Sequence, residues 1–384
     1  MSDHPLDRDR ITKLVSTIFA DDLHAKRVAS LANAAVGVLE GAALGIHAIG
    51  RALAFHSGLD SRHAVKQVDR LLSNTGVDVW SLFARWVPFV VADRQEIVAA
   101  LDWTDFDADD QSTLALSMIT SHGRATPLLW KTVMKSQMNG WRNEHEDVLL
   151  ERFREVLPEG VKVTVLADRG FGDQALYELL KDQLGLDFVV RFRGIVKVES
   201  ADGDMKAAKD WVPANGRPLL LRGAKVTTKG RELGAVVCVK AKGMKDAWCL
   251  ATSHGDKPAS EIVKLYGKRF TIEESFRDQK NLRLGMGLSD TRIGSPLRRD
   301  RMLLISAIAI ALLTILGAAG EATGLDRTLK TNTVKHRTLS LLNQGLFHYA
   351  ALPRMKTERA ELLMAKFGEM LREQAVFRDV FGLI

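Results

Sequence analysis

Residues 161–171 read VKVTVLADRGF, and the fold turns on them. Four β-branched side chains in a seven-residue, mostly apolar run favour an extended strand over a helix. The run stops at Asp168, and Arg169-Gly170-Phe171 follows as a turn, so a buried strand delivers a carboxylate to its C-terminal end. The same design stands upstream. Residues 97–106 read IVAALDWTDF, an apolar run that ends in acids, with Asp102 first among them. Residues 112–121 (STLALSMITS) and 126–133 read as further strands, joined by the turn signal His122-Gly123-Arg124. Residues 143–156 read as a helix with apolar Val148, Leu149, Phe153 and Val156. A helix over 173–184 and a strand over 187–193 follow. Three strands, helix, strand, helix, strand is the order of a mixed sheet with helices on its faces, with sequential strands side by side. Chemistry in such folds sits at strand ends, and two of these ends carry acids.

Outward from this core the texture changes. Residues 195–260 hold short strand-like pieces (217–221, 233–241, 247–252) between Gly/Lys turns such as Thr228-Lys229-Gly230 and Ala241-Lys242-Gly243, which reads as a small β insertion. Residues 9–90 read as helices. In the stretch 62–74, RHAVKQVDRLLSN, the cations Arg62, Lys66 and Arg70 stand four apart and share one helix face. That face is either solvated or in contact with phosphates. From 296 onward the chain is again mostly helical and ends in a polar amphipathic stretch over 356–373. The expected division is a helical domain at 1–92, which recognises DNA if the Arg62/Lys66/Arg70 face meets phosphates, a mixed-sheet core at 93–295 with its insertion at about 195–260, and a helical C-terminal region at 296–384.

The bulk numbers set bounds. The chain has 384 residues, 46% hydrophobic and 26% charged, with a net charge of +7. This is the composition of a folded protein with room for more than one domain, and its basicity admits nucleic acid without requiring it. Cys238 and Cys249 are too few for a disulfide framework and lack zinc-ligand spacing. The first ten residues, MSDHPLDRDR, contain no apolar signal core, which points to a cytoplasmic protein. Residues 302–320, MLLISAIAIALLTILGAAG, are long and apolar enough for a membrane span. Diluted by Ala, Ser and Gly and standing alone, they read instead as a buried helix, and no membrane partner is expected.

Residues 258–280 read as a helix and carry the densest chemistry. On a helix, Tyr266, Arg269, Glu273, Arg277 and Lys280 fall within a stripe roughly 80° wide, while Glu274 and Asp278 point elsewhere. An acid flanked by cations and an aromatic ring suits a site that holds a metal beside phosphates. It also suits a surface helix, since Arg269 and Glu273 are four apart and pair on their own.

The spacing Tyr266-x2-Arg269-x3-Glu273-x6-Lys280 resembles the signature of DDE transposases of the insertion-sequence-four type. Leu101-Asp102-Trp103-Thr104 is similar to that family's first aspartate motif, and Ala167-Asp168-Arg169-Gly170-Phe171 to its second. A β-rich insertion before the glutamate is also a family feature. Phe270 stands where the family often has Trp. The resemblance implies an α/β fold with an RNase H-like mixed-sheet core. It implies Asp102, Asp168 and Glu273 as catalytic and metal-binding acids, with two Mg2+ or Mn2+ ions as cofactors. Hard divalent cations take carboxylate oxygens, and a pair of them about 3.5–4 Å apart serves both oxygens of an in-line displacement at phosphorus.

By the same resemblance Tyr266, Arg269, Lys280 and the neighbouring Arg277 bind the DNA backbone near the scissile bond, and Arg62, Lys66 and Arg70 bind the terminal repeats. The partners implied are double-stranded DNA, as transposon ends and target, and a second copy in a homodimer on DNA, in the nucleoid of a bacterial cytoplasm. Related enzymes free a 3′-hydroxyl, form a hairpin, reopen it and attack the target. Trp248 in the insertion is a candidate for bracing a flipped base, or a core residue. Asp105, Asp107, Asp109 and Asp110 read as a solvated turn, and Asp173 as a helix cap. Two other functions share these features: an RNase H-like structure-directed nuclease and a non-catalytic DNA-binding inhibitor of transposition.

Overall fold

A computed structural model describes residues 8–120, 123–226, 230–283 and 285–372. Ser121, His122, Thr228, Lys229 and Glu373, named above in turns and element ends, lie outside the described residues. Five helices come first: α1 (Arg8–Phe19), α2 (Ala25–Gly41), α3 (Ile46–Ser57), α4 (Ser61–Ser73) and α5 (Val79–Val91). The Ala-rich stretch does not run straight, for α2 and α3 meet at 92°. Asp60 and Asp78 cap α4 and α5, each accepting backbone N–H groups from the first turn.

The core follows in the expected order: β1 (Glu96–Phe106), β2 (Gln111–Ile119), β3 (Ala125–Met134), α6 (Arg142–Val156), β4 (Lys162–Ala167), α7 (Gln174–Glu178) and β5 (Asp187–Phe192). The helix expected over 173–184 is α7 continued by a π-helical turn, Leu179–Gln183. Strands β1, β2 and β3 are antiparallel neighbours, whereas β1, β4 and β5 run parallel.

The insertion supplies β6 (Lys197–Glu199), β7 (Met205–Ala207), β8 (Leu219–Arg222), β9 (Lys225–Val226), β10 (Arg231–Glu232), β11 (Ala235–Val239) and β12 (Trp248–Thr252). Three of these strands do more than decorate the core. The main sheet runs β3-β2-β1-β4-β5-β12-β11-β8, and only β10-β9-β6-β7 form a separate small sheet. The reason is apolarity: β11 reads AVVCV and is buried at every residue, so it needs cover on both faces. Cys238 and Cys249 sit opposite one another on β11 and β12, both buried and free.

Five helices close the chain: α8 (Ala259–Gly267), α9 (Phe270–Lys280), α10 (Pro296–Ala322), α11 (Leu341–Ala351) and α12 (Thr357–Arg372). The single helix expected over 258–280 is therefore two. Around Gly267 the ladder tightens, with Lys268, Arg269, Thr271 and Ile272 each donating to the carbonyl three residues back. Arg269 itself keeps a helical backbone, so the side chains before and after the joint still face the same strand ends.

The apolar stretch in α10 has the length and composition of a membrane span, yet 72% of it is buried inside the protein. It packs on α2, α11, α12 and β3. Gly317 and Gly345 let α10 and α11 touch backbone to backbone. A Cβ at Gly317 would stand 2.0 Å from the Leu341 carbonyl oxygen, and one at Gly345 1.8 Å from that of Leu313. Each buried Leu or Ile along this helix contributes on the order of 2 kcal/mol.

Candidate active site

The sheet positions the acids. Leu101 of β1 pairs in parallel register with Ala167 of β4, so Asp102 and Asp168 are the next residues on adjacent strands. Side chains alternate along a strand. Ala100 and Leu166 pack with Ile262 and Tyr266 of α8 and Ile272 of α9 in one apolar cluster. Two residues on, Asp102 and Asp168 continue that face beyond the cluster's edge, while Leu101 and Ala167 point into the opposite core.

Helix α9 brings its charges to this edge. The Arg269 guanidinium, only 5% exposed, donates to Asp102 Oδ2 at 3.0 Å and to Glu273 Oε1 at 2.5 Å. Glu274 pairs instead with Arg277 at 2.8 Å, and Asp278 with Arg124 at 2.6 Å. The helix thus aims Glu273, and neither neighbouring acid, at Asp102. Burial pushes the Asp102 carboxyl up to about 6; Arg269 opposes this, and the charges of Asp168 and Glu273 add to it. Arg269 stays firmly charged, since Tyr266, Asp102 and Glu273 together outweigh its burial.

Lys280 donates to Thr104 Oγ1 at 3.0 Å and to the Asp105 carbonyl at 2.6 Å, and lies over the Phe106 ring. Its burial lowers its pKa. Tyr266 is 1% exposed, and its ring meets Trp248 edge-on at 4.9 Å. Half-buried Trp248 also lies 6.0 Å from Phe270. Trp248 thus borders the site while serving as packing for the signature tyrosine. Arg62, Lys66 and Arg70 are exposed on α4, away from the carboxylates in sequence and on a separate helix.

The opposite side of the cleft holds residues that the spacing of motifs did not single out. The Trp103 indole donates to Glu146 Oε1 of α6 at 2.7 Å, and Arg142 Nε donates to the same oxygen at 3.1 Å. The Arg142 guanidinium lies over the rings of both Trp103 and Phe171. The i,i+4 spacing of Arg142 and Glu146 was visible in the sequence; their link to Trp103, 43 positions away in the chain, was not. A cleft of about 760 Å³ is lined by Asp102, Asp168, Lys135, Arg142, Arg169 and Arg193 among others. A second one, of about 600 Å³, includes Glu273, Arg277 and Lys280.

The acidic turn is less solvated than expected. Lys135 binds Asp105 and Asp107 at 2.7 and 2.6 Å, and Asp109 is held by fully buried Arg299 at 2.6 Å. A buried guanidinium demands such a partner. Asp173 caps α7, accepting the Leu176 N–H.

Asp102, Asp168 and Glu273 offer the hard oxygen donors that divalent cations take. Burial is the main cause of the raised Asp102 pKa, and the charges of Asp168 and Glu273 add to it, so a cation held between these carboxylates would oppose all three. Among the described residues, no three Asp, Glu, His or Cys side chains converge as a ready-made metal cage. Arg269 engages Asp102 and Glu273, and the Gly170 N–H engages Asp168 Oδ1 at 2.7 Å.

A search of curated proteins finds no significant match. The family model described as the transposase DDE domain matches residues 93–312, from just before β1 to well inside α10 and more than half of the chain. The large mixed sheet flanked by helices is consistent with the RNase H-like core of such domains, which generally use divalent metal ions and act on DNA. The chain belongs to the transposase DDE domain family.

Proposed function

We propose that this protein is a DNA transposase of the insertion-sequence-four type, which cleaves transposon ends and transfers them into target DNA. The observation that carries this reading is the placement of Asp102 and Asp168 on adjacent strand ends, with Glu273 tied to Asp102 through one arginine. In this reading Asp102, Asp168 and Glu273 hold Mg2+ or Mn2+, two ions per site. When bound, the metal supplies activation of the attacking hydroxyl group and neutralisation of charge on the leaving oxygen.

The chain's own side chains bind and orient the substrate. Arg269, Arg277 and Lys280 lie along α9 beside the acids, where a DNA backbone threading the cleft passes them. Arg269 has two competing sets of partners, its own carboxylates and the incoming phosphate. Tyr266 backs the signature arginine and holds Trp248 at the rim. Residues 1–92 form the DNA-recognition part, with Arg62, Lys66 and Arg70 on phosphates of the terminal sequence. The core occupies 93–295 and the helical C-terminal region 296–384. Two copies act together on paired ends, in the bacterial cytoplasm at the nucleoid.

The test is incubation of the protein and Mn2+ with DNA from the flanks of its own gene, followed by analysis for nicks, hairpins and joined products. Asp102→Ala, Asp168→Ala and Glu273→Ala are each expected to abolish cleavage while DNA binding survives. Retained cleavage removes the residue concerned from the site. Cleavage with no joining, insensitive to the sequence of the ends, would favour a structure-directed nuclease instead.

A further inference from the structure

We infer that Arg142 is a phosphate-binding residue in the cleft on the α6 side of the aspartates, gripping the DNA backbone beside Asp168. This rests on the proposed reading that the cleft acts on DNA.

The geometry is that of a prepared guanidinium. Arg142 spends only its Nε on the protein, at 3.1 Å from Glu146 Oε1. Glu146 is 3% exposed, and the same oxygen already accepts the Trp103 indole N–H at 2.7 Å. The anchor is therefore buried and fixed from two directions. The guanidinium carbon lies 5.4 Å from the Trp103 ring centre and 5.6 Å from that of Phe171, distances at which a cation is held by the ring faces. Trp103 follows Asp102 directly, and Phe171 ends the turn that Asp168 begins. Arg142 thus packs on a ring that follows each of the two aspartates in the chain.

The terminal nitrogens, Nη1 and Nη2, donate no hydrogen bond among the described residues. The side chain is 44% exposed and lines the cleft. Nη2 reaches over the turn after Asp168, to 3.5 Å from where a Cβ on Gly170 would stand. An arginine that served only to neutralise Glu146 would gain most by presenting its two-pronged end to that carboxylate. Here the prongs face outward. A planar pair of donors held rigid beside acids that handle a phosphodiester matches two oxygens of one phosphate. Exposed Arg169 and Arg193 line the same cleft and supply the field for an anion rather than for a base edge.

The experiment compares the wild type with Arg142→Ala and Arg142→Lys, binding a duplex that carries the gene's flanking DNA across a range of salt concentrations. Methylphosphonates, which remove one phosphate charge, are placed singly along the strand. Arg142→Ala is expected to weaken binding roughly ten- to hundredfold at low salt and to lower the salt slope by about one. Arg142→Lys keeps the charge and restores the slope, with only part of the affinity. One methylphosphonate position should weaken the wild type and leave Arg142→Ala unaffected.

An unchanged salt slope, or the same methylphosphonate profile in both proteins, would overturn the inference. Asp168→Ala serves as the control for the underlying reading. If it still cleaves, the catalytic assignment fails; the binding comparison at Arg142 is read without cleavage and answers separately.

Discussion

The α9 and α6 walls, which line two clefts meeting at Asp102, carry similar charges and treat them in opposite ways. On the α9 wall, Arg269 is buried against Asp102 and Glu273, and Lys280 is bonded to Thr104 and the Asp105 carbonyl. On the α6 wall, Arg142 is anchored by one nitrogen and offers its other two to the cleft. The first wall stores these cations on the protein's own oxygens, carboxylate for Arg269 and hydroxyl and carbonyl for Lys280; the second holds one ready for an outside anion. Helical spacing tells which cations share a face, but what each is bonded to depends on the strands beneath.

The largest expected effect separates the walls by stability. Arg269→Ala leaves the largely buried Asp102 without its cation and should cost about 3 kcal/mol, while half-exposed Glu273 loses little by comparison. Arg142→Ala leaves buried Glu146 with the Trp103 indole as its remaining partner and should cost less, about 1–2 kcal/mol, because Arg142 itself is half-exposed. Urea unfolding measures both, and equal losses would erase the distinction.

A second prediction tests how far the buried-charge regime extends beneath the α9 wall. Arg299 lies over the same Phe106 ring as Lys280, and its neighbour Asp300 is pushed up to about 7 by burial, against hydrogen bonds from Thr132 and the nearby arginines. Its folded pKa lies above the unfolded one, so the folded form binds the extra proton between about pH 4 and 7. Stability is therefore lost as pH rises through that window and is level above it. Asp300→Asn should gain stability over the wild type steadily from pH 4 to 7, by thermal melting. A difference independent of pH would contradict this.

A third concerns exchange between the walls' roles. If DNA draws Arg269 and Lys280 away from their internal partners, Lys280→Ala weakens end-DNA binding about tenfold and lowers its salt dependence. An unchanged slope would leave Lys280 serving its internal partners, the Thr104 hydroxyl and the Asp105 carbonyl, alone. The smallest effects belong to α4. Single Ala substitutions at exposed Arg62, Lys66 or Arg70 should change stability by under about 0.5 kcal/mol. Each should lower the salt slope of binding by about one; no change would mark that face as merely solvated.

Much of this architecture was readable beforehand, for identifiable reasons. The strands around Asp102 and Asp168 announce themselves because local β-branched runs end in acids; their adjacency does not, since setting sequential strands side by side would place β4 next to β3 rather than β1. Asp173 was legible as a cap because capping is a contact three residues away. The joining of β11 and β12 to the core sheet was not legible, since strand pairing across the insertion leaves no local trace. The break at Gly267 was hidden inside a helical pattern that continues on both sides. Asp109 looked solvated because its partner, Arg299, lies 190 positions along the chain. The Trp103–Glu146–Arg142 cluster is hidden for the same reason: β1 and α6 meet there, and only the Arg142–Glu146 contact is local.

Asp168 sits next to Asp102 in the sheet and lines the same cleft as Arg142. The direct measurement is Mn2+-dependent cleavage of the gene's flanking DNA by the wild type and by Asp168→Asn, with binding of the same DNA followed in parallel. Loss of nicks and hairpins with binding preserved is the predicted result. Cleavage by Asp168→Asn at the wild-type rate would contradict it.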